Sequence, residues 1–168
     1  MRAIHEPYNS NRRIIGFDTF EGYPANDIGE NDIASDVISA GVYAVPDDYK
    51  SYIEEIAEYH TNENSIYHPN KIEFVKGDVI ETIPKYYEEH PGRITALAYF
   101  DMALYEPTKV ALEYVLKTCI KGSVIAFDEL NRDEYQGETL ALKELADFNK
   151  CHIEKSDVLP DRTYMIIE

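Results

Sequence analysis

The sequence has no glycine pair of the Gly-x-Gly kind: its eight glycines, Gly16, Gly22, Gly29, Gly41, Gly77, Gly92, Gly122 and Gly137, stand apart. A glycine-rich phosphate or dinucleotide loop therefore has no place within these residues. Cysteine is scarce. Cys119 and Cys151 form neither a disulfide framework nor a metal-type spacing, which predicts reduced thiols in a cytoplasmic protein. No apolar run approaches the ~18 residues of a membrane span, and Met1–Arg13 has no signal-peptide pattern. Basic residues are outnumbered, 16 Lys and Arg against 32 Asp and Glu. The resulting charge of -16 repels nucleic acid and anionic membranes and favours cations or neutral ligands. The five histidines show no ligand spacing, and neither a Gly-x-Ser-x-Gly elbow nor a Cys-His pairing is visible.

What is present is a repeated pattern. Four apolar runs each end in an aspartate: Ile14–Phe17 before Asp18, Ile72–Gly77 before Asp78, Ile94–Phe100 before Asp101, and Val124–Phe127 before Asp128. Short, mostly apolar runs with weak alternation suit strands buried on both faces of a parallel sheet. Helical patterns separate them. Pro46-Asp47-Asp48 opens one with Tyr49, Tyr52, Ile53 and Ile56 on one face. Pro84 suits the first turn of a second, with Thr82 as its cap. Pro107 starts a third that Gly122 stops, striped by Leu112, Val115, Leu116 and Cys119, and Glu138–Asn149 forms a fourth. Two closing strands, about 151–158 and 163–167, flank the turn Leu159-Pro160-Asp161-Arg162. This order predicts one α/β domain over residues 1–168, with a Rossmann-like, mostly parallel sheet, flanking helices and one antiparallel strand near the C-terminus. The acidic, Gly/Pro/Asn-rich stretch at about 21–45 has no periodicity and reads as a lid-like insertion. Thr61–Asn70 reads as a shorter polar loop.

In a parallel sheet ligands sit beyond the carboxyl ends of the strands, where Asp18, Asp78, Asp101 and Asp128 all fall, with Glu129 as a fifth carboxylate. Such crowding is unfavourable unless a cation, a ribose diol or an amine engages it. Any one of these aspartates alone would serve as a strand-to-helix cap. Tyr23 and Tyr43 lie in the insertion, where aromatic rings would suit a sugar.

The strings Ile15-Gly16-Phe17-Asp18-Thr19-Phe20-Glu21-Gly22-Tyr23-Pro24, Phe74-Val75-Lys76-Gly77-Asp78, Phe100-Asp101-Met102-Ala103-Leu104-Tyr105-Glu106-Pro107-Thr108 and Gly122-Ser123-Val124-Ile125-Ala126-Phe127-Asp128-Glu129 resemble strand ends of the macrocin-type sugar O-methyltransferases. These are class I S-adenosylmethionine-dependent enzymes, and the strings follow the family's order and spacing from about residue 3 to the end. The resemblance implies that Asp18 and Thr19 lie near the cofactor's ribose, and Asp78 and Val79 near its adenine. It implies that Asp101, Asp128 and Glu129 hold Mg²⁺ or Mn²⁺ against two hydroxyls of a sugar-type acceptor. The family's general base corresponds to Ala103, which cannot take a proton. The catalytic base is then unassigned, with Glu129, Glu134 or the metal as replacements.

The family's first strand and glycine-rich loop would precede Met1, and Ala3–Asn9 resembles the end of the helix that follows them. The first strand would run between those ending at Asp18 and Asp101, so two inner edges are expected to face a gap. The gap would close by direct pairing or by self-association into a homo-oligomer, or the region would be disordered. Weak S-adenosylmethionine binding is expected. The alternatives are a truncated or degenerate homologue that binds without catalysis, and a haloacid dehalogenase-like phosphohydrolase. The latter needs a second aspartate two residues after the first, which Asp18, Asp101 and Asp128 all lack.

Overall fold

The computed structural model describes residue 9 and residues 11–32, 36–63, 71–159 and 162–168. The expected helix end at 3–9, most of the loop at 61–70 and the centre of the turn at 159–162 lie outside these residues. Strands and helices alternate as β1 (Ile14–Asp18), α1 (Tyr49–Asn62), β2 (Ile72–Lys76), α2 (Val79–Glu89), β3 (Thr95–Phe100), α3 (Tyr105–Thr118), β4 (Cys119–Phe127), α4 (Gln136–Leu145), β5 (Cys151–Lys155) and β6 (Thr163–Ile167).

β1 pairs with β2 in parallel and β3 with β4 in parallel, while β6 lies antiparallel between β4 and β5. The α/β fold with one antiparallel strand is thus present. The four Asp-terminated strands do not form one continuous sheet: β1 and β2 form a two-stranded sheet, and β3, β4, β6 and β5 a four-stranded one. The break falls between β1 and β3, where the extra strand was expected, and neither edge pairs with the other. On β3, a strand expected to be buried on both faces, Leu97 is 66% exposed. The two sheets are joined through their helices, with α2 packing on β1 and on α3, and α3 on β3.

The core lies beneath α3 and α4 on β3, β4 and β6, built from Leu112, Val115, Leu142, Phe100, Ile125, Phe127 and Met165. Phe100 and Phe127 stack at 5.2 Å across the parallel pair. Burying each large apolar side chain contributes ~1.5–3 kcal/mol.

Several boundaries differ from expectation for local reasons. α2 starts at Val79 because the Asp78 carboxylate caps it, accepting from Ile80 N at 2.7 Å, so Thr82 and Pro84 lie inside the helix. Gly122 does not stop α3. That helix passes directly into β4 at Cys119, and Gly122 sits within the strand at φ +87. On α1, Tyr49, Tyr52 and Ile56 face outward, and Ala57 and Thr61 are the buried positions.

The insertion at 21–45 contains no helix or strand among its described residues, yet it is tied down at three points. Its neck is closed by Tyr23 N to Val42 O at 3.1 Å and Gly41 N to Tyr23 O at 3.0 Å. Gly22 is required there, since a Cβ would lie 2.3 Å from Val42 O and φ is +77. Asp32 accepts from Tyr105 N at the start of α3 and from Gly29 N, at 2.9 and 3.0 Å. Asp27 hydrogen-bonds Asp78.

Candidate active site

All four strand-terminal aspartates stand at the carboxyl ends of their strands, and the insertion covers that edge. Asp18 closes a tight turn by accepting from Phe20 N at 2.6 Å, while the Thr19 hydroxyl donates to Gly22 O at 2.8 Å. Beside them is a cavity of about 370 Å³ lined by Thr19, Glu21, Gly22, Tyr23, Pro24, Lys76, Gly77 and Asp78. Asp78 meets Asp27 of the insertion at this edge. Burial, then the Asp78 carboxylate, raises the Asp27 pKa to about 6. Val79 packs against the core at the head of α2.

A second group forms past β3 and β4. The Asp101 carboxyl is held above the usual range, first by desolvation, then by Asp128, with Asp18 adding to the effect. Burial, Asp101 and Asp128 push Glu129 up to about 7, against the opposing pull of Arg132 and Arg162. Its Oε2 is a buried oxygen with no hydrogen-bond partner among the described residues. Asp128, 8% exposed, is differently placed. Its carboxylate pairs with Arg162 and accepts from the Tyr99 hydroxyl, and its carbonyl accepts from Arg162 Nη1 at 3.2 Å. Of the three carboxylates expected to hold a metal, Asp128 thus already has two partners in Arg162 and Tyr99. Among the described residues no three His, Cys, Asp or Glu side chains are arranged to hold a metal.

Ala103, the family's base position, is 1% exposed at φ +58. α4 presses on it so closely that a Cβ on Gly137 would lie 2.3 Å from its carbonyl. A carboxylate substituted at 103 would be enclosed by protein.

Sequence reasoning missed the residue that holds this edge together. Glu138, 0% exposed, accepts from Met102 N at 3.1 Å and Ala103 N at 3.4 Å through Oε1, and from Glu129 N at 3.2 Å through Oε2. One carboxylate thereby fixes both loops that carry Asp101 and Glu129. Burial raises its pKa to about 7 although the three N–H donors favour ionisation. In the sequence Glu138 looked like an ordinary acidic residue in a helix's first turn; the signal was Gly137 before it, which permits the close approach.

No protein-family model and no curated protein sequence matches the chain. Solved structures do. A crystal structure of CalS11, a calicheamicin methyltransferase, superposes with a TM-score of 0.92 at 37% identity, over 98% of this chain and 64% of that one. The apo structure of CalS11, described as a TDP-rhamnose 3'-O-methyltransferase, superposes at 0.80 with 35% identity, over 98% and 63%. The O-methyltransferase NovP, at 22% identity and a TM-score of 0.58 over 94% and 60%, shares the fold. The chain thus spans less than two thirds of the length of each CalS11 structure. This chain has the class I S-adenosylmethionine-dependent methyltransferase fold and is similar in sequence to a protein described as a sugar O-methyltransferase.

Proposed function

We propose that the carboxyl edge binds S-adenosylmethionine beside a hydroxylated, sugar-type acceptor and transfers the methyl group to an acceptor oxygen. The observation that carries this reading is Glu129 Oε2, a buried acceptor atom without a donor, at the edge where ligands of such sheets dock. The relationship to a TDP-rhamnose methyltransferase supports the acceptor class.

The cavity beside Asp18 and Asp78 takes the nucleoside: Asp18 and Thr19 face the ribose, Asp78 and Val79 the adenine. Asp27 must release Asp78 for the adenine amine to reach it. When bound, the cofactor supplies an electrophilic methyl on a sulfonium. The acceptor oxygen would take that methyl group, and the electron pair of the C–S bond would stay on sulfur. Glu129 Oε2 takes the hydroxyl proton, the role that Ala103 cannot perform. Ionisation near pH 7 suits a general base. The proton leaves Glu129 as pH rises, so turnover rises through pH 7. Glu129→Gln is expected to lower kcat ~10²–10⁴-fold and flatten that profile. A variant with wild-type kcat would remove Glu129 from the mechanism.

Hard carboxylate oxygens suit Mg²⁺ or Mn²⁺, and with Asp128 held by Arg162 the residues that would hold such an ion are Asp101 and Glu129. An ion there would acidify the acceptor hydroxyl. Mn²⁺ is then expected to raise Tm, since a ligand that binds only the folded state stabilises it. Asp101→Asn should abolish the shift and Arg162→Gln, which frees Asp128, should enlarge it. No shift in either the wild type or Arg162→Gln would remove the metal.

A second reading, ligand binding or self-association without catalysis, is favoured by the edges of β1 and β3 that have no partner strand among the described residues.

A further inference from the structure

Three tyrosines from separate stretches of chain converge beside Glu129. Tyr23 and Tyr43 come from the two sides of the insertion's neck, and Tyr135 from the turn before α4. The Tyr23 and Tyr43 rings meet edge to face, 5.5 Å apart at 86°. The Tyr43 hydroxyl is hydrogen-bonded to that of Tyr135 at 3.1 Å, a link across 92 residues. Tyr43 is nonetheless 63% exposed, and its backbone has φ +65, a conformation that disfavours a bulky side chain. An exposed ring contributes little to the core, so a strained backbone and an ordered hydroxyl at such a residue point to a use outside packing.

The chemistry around the rings narrows that use. Tyr23 and Tyr135 both lie close enough to Glu129 to feel its charge, which places the phenols beside that carboxylate. The face therefore offers aromatic surface on one side and hydrogen-bond acceptors on the other, Glu129 Oε2 being the acceptor without a donor. An anionic group would be repelled by Asp101 and Glu129. A neutral ring with an apolar face and a hydroxyl edge fits both sides.

We propose that Tyr23, Tyr43 and Tyr135 form the seat of the acceptor's sugar ring, which lies against the tyrosines with its hydroxyl edge turned to Glu129. The inference deepens the methyl-transfer reading and rests on it for the fate of that hydroxyl. The seat itself rests on the ring geometry.

The test is saturation-transfer NMR with TDP-rhamnose as the probe, on the wild-type chain, Tyr43→Ala and Tyr43→Phe, with S-adenosylhomocysteine titrated separately. The rhamnose protons are expected to receive more saturation than the thymidine protons. Tyr43→Ala should weaken TDP-rhamnose at least tenfold and Tyr43→Phe, which keeps the ring, about threefold or less, in proportion to the stacking surface retained. S-adenosylhomocysteine affinity should be unchanged in both variants. No TDP-rhamnose binding to the wild type, saturation confined to thymidine, or wild-type affinity in Tyr43→Ala would each overturn the seat. Rhamnose-centred binding that Tyr43→Ala weakens, in a chain that S-adenosylhomocysteine does not perturb, would uphold the seat and sink the methyl-transfer reading instead.

Discussion

Glu138→Ala is expected to destabilise the chain by about 3 kcal/mol, because one buried and two partly buried N–H groups lose their acceptor at up to ~1–3 kcal/mol each, partly offset by relief of the buried carboxyl. For a domain of this size the loss corresponds to a Tm roughly 6–12 °C lower. The site should suffer more than the fold, because Asp101 and Glu129 are both carried by the loops that Glu138 ties. Glu138→Gln, which keeps one acceptor oxygen but sets an amide NH₂ against a backbone N–H, should fall between. The pH dependence has a definite sign. A carboxyl whose folded pKa is raised to about 7 contributes stability that is present below its unfolded value and lost as pH rises through 7. Glu129 and Asp27 act in the same direction. Denaturant unfolding should therefore show a wild type more stable at pH 5 than at pH 8, and a smaller difference in Glu138→Gln. Equal profiles in the two proteins would mean that Glu138 does not carry the buried charge.

The second large effect concerns the break in the sheet. Among the described residues β1 pairs only with β2 and β3 only with β4, so each leaves one edge without a partner there. The cavity and the carboxylate group thus stand on two half-sheets joined through helices and through the insertion. A ligand that must touch both has to hold their spacing fixed at its own cost in conformational entropy. We expect S-adenosylhomocysteine to bind the 168-residue chain with a Kd of roughly 100 µM or weaker, equivalent to about -5.5 kcal/mol. A chain extended upstream with a strand that pairs both edges should bind at least tenfold more tightly. Open edges also recruit other chains, so self-association of the 168-residue chain should decrease when the strand is supplied. Calorimetry with and without the added strand decides the point, and low-micromolar binding by the 168-residue chain would refute it.

The strands were legible because each carries its own punctuation. An apolar run that stops at an aspartate marks both a strand and its carboxyl end, and Asp18, Asp78, Asp101 and Asp128 lie where that rule puts them. The resemblance placed the fold correctly through the same four strings. What the sequence hid were contacts made at long range. Nothing near Asp128 announces Arg162, which reaches it from the far side of the β5–β6 turn. Nothing near Ala103 or Glu129 announces Glu138, whose role depends on α4 lying against both loops. Helix boundaries slipped where one residue had two possible local roles: Asp78 was read for its ligand chemistry while it also caps α2, and Gly122 was read as a stop while it sits in β4.

The most direct test of a cofactor site at the carboxyl edge is a titration of the isotope-labelled chain with S-adenosylhomocysteine to millimolar concentration, followed by backbone amide NMR, which detects even weak binding. The account predicts saturable shifts at Asp18, Thr19, Gly77, Asp78 and Val79 and none along β5. Amides at those five positions that stay still at millimolar ligand, or shifts that gather on β5, would contradict it.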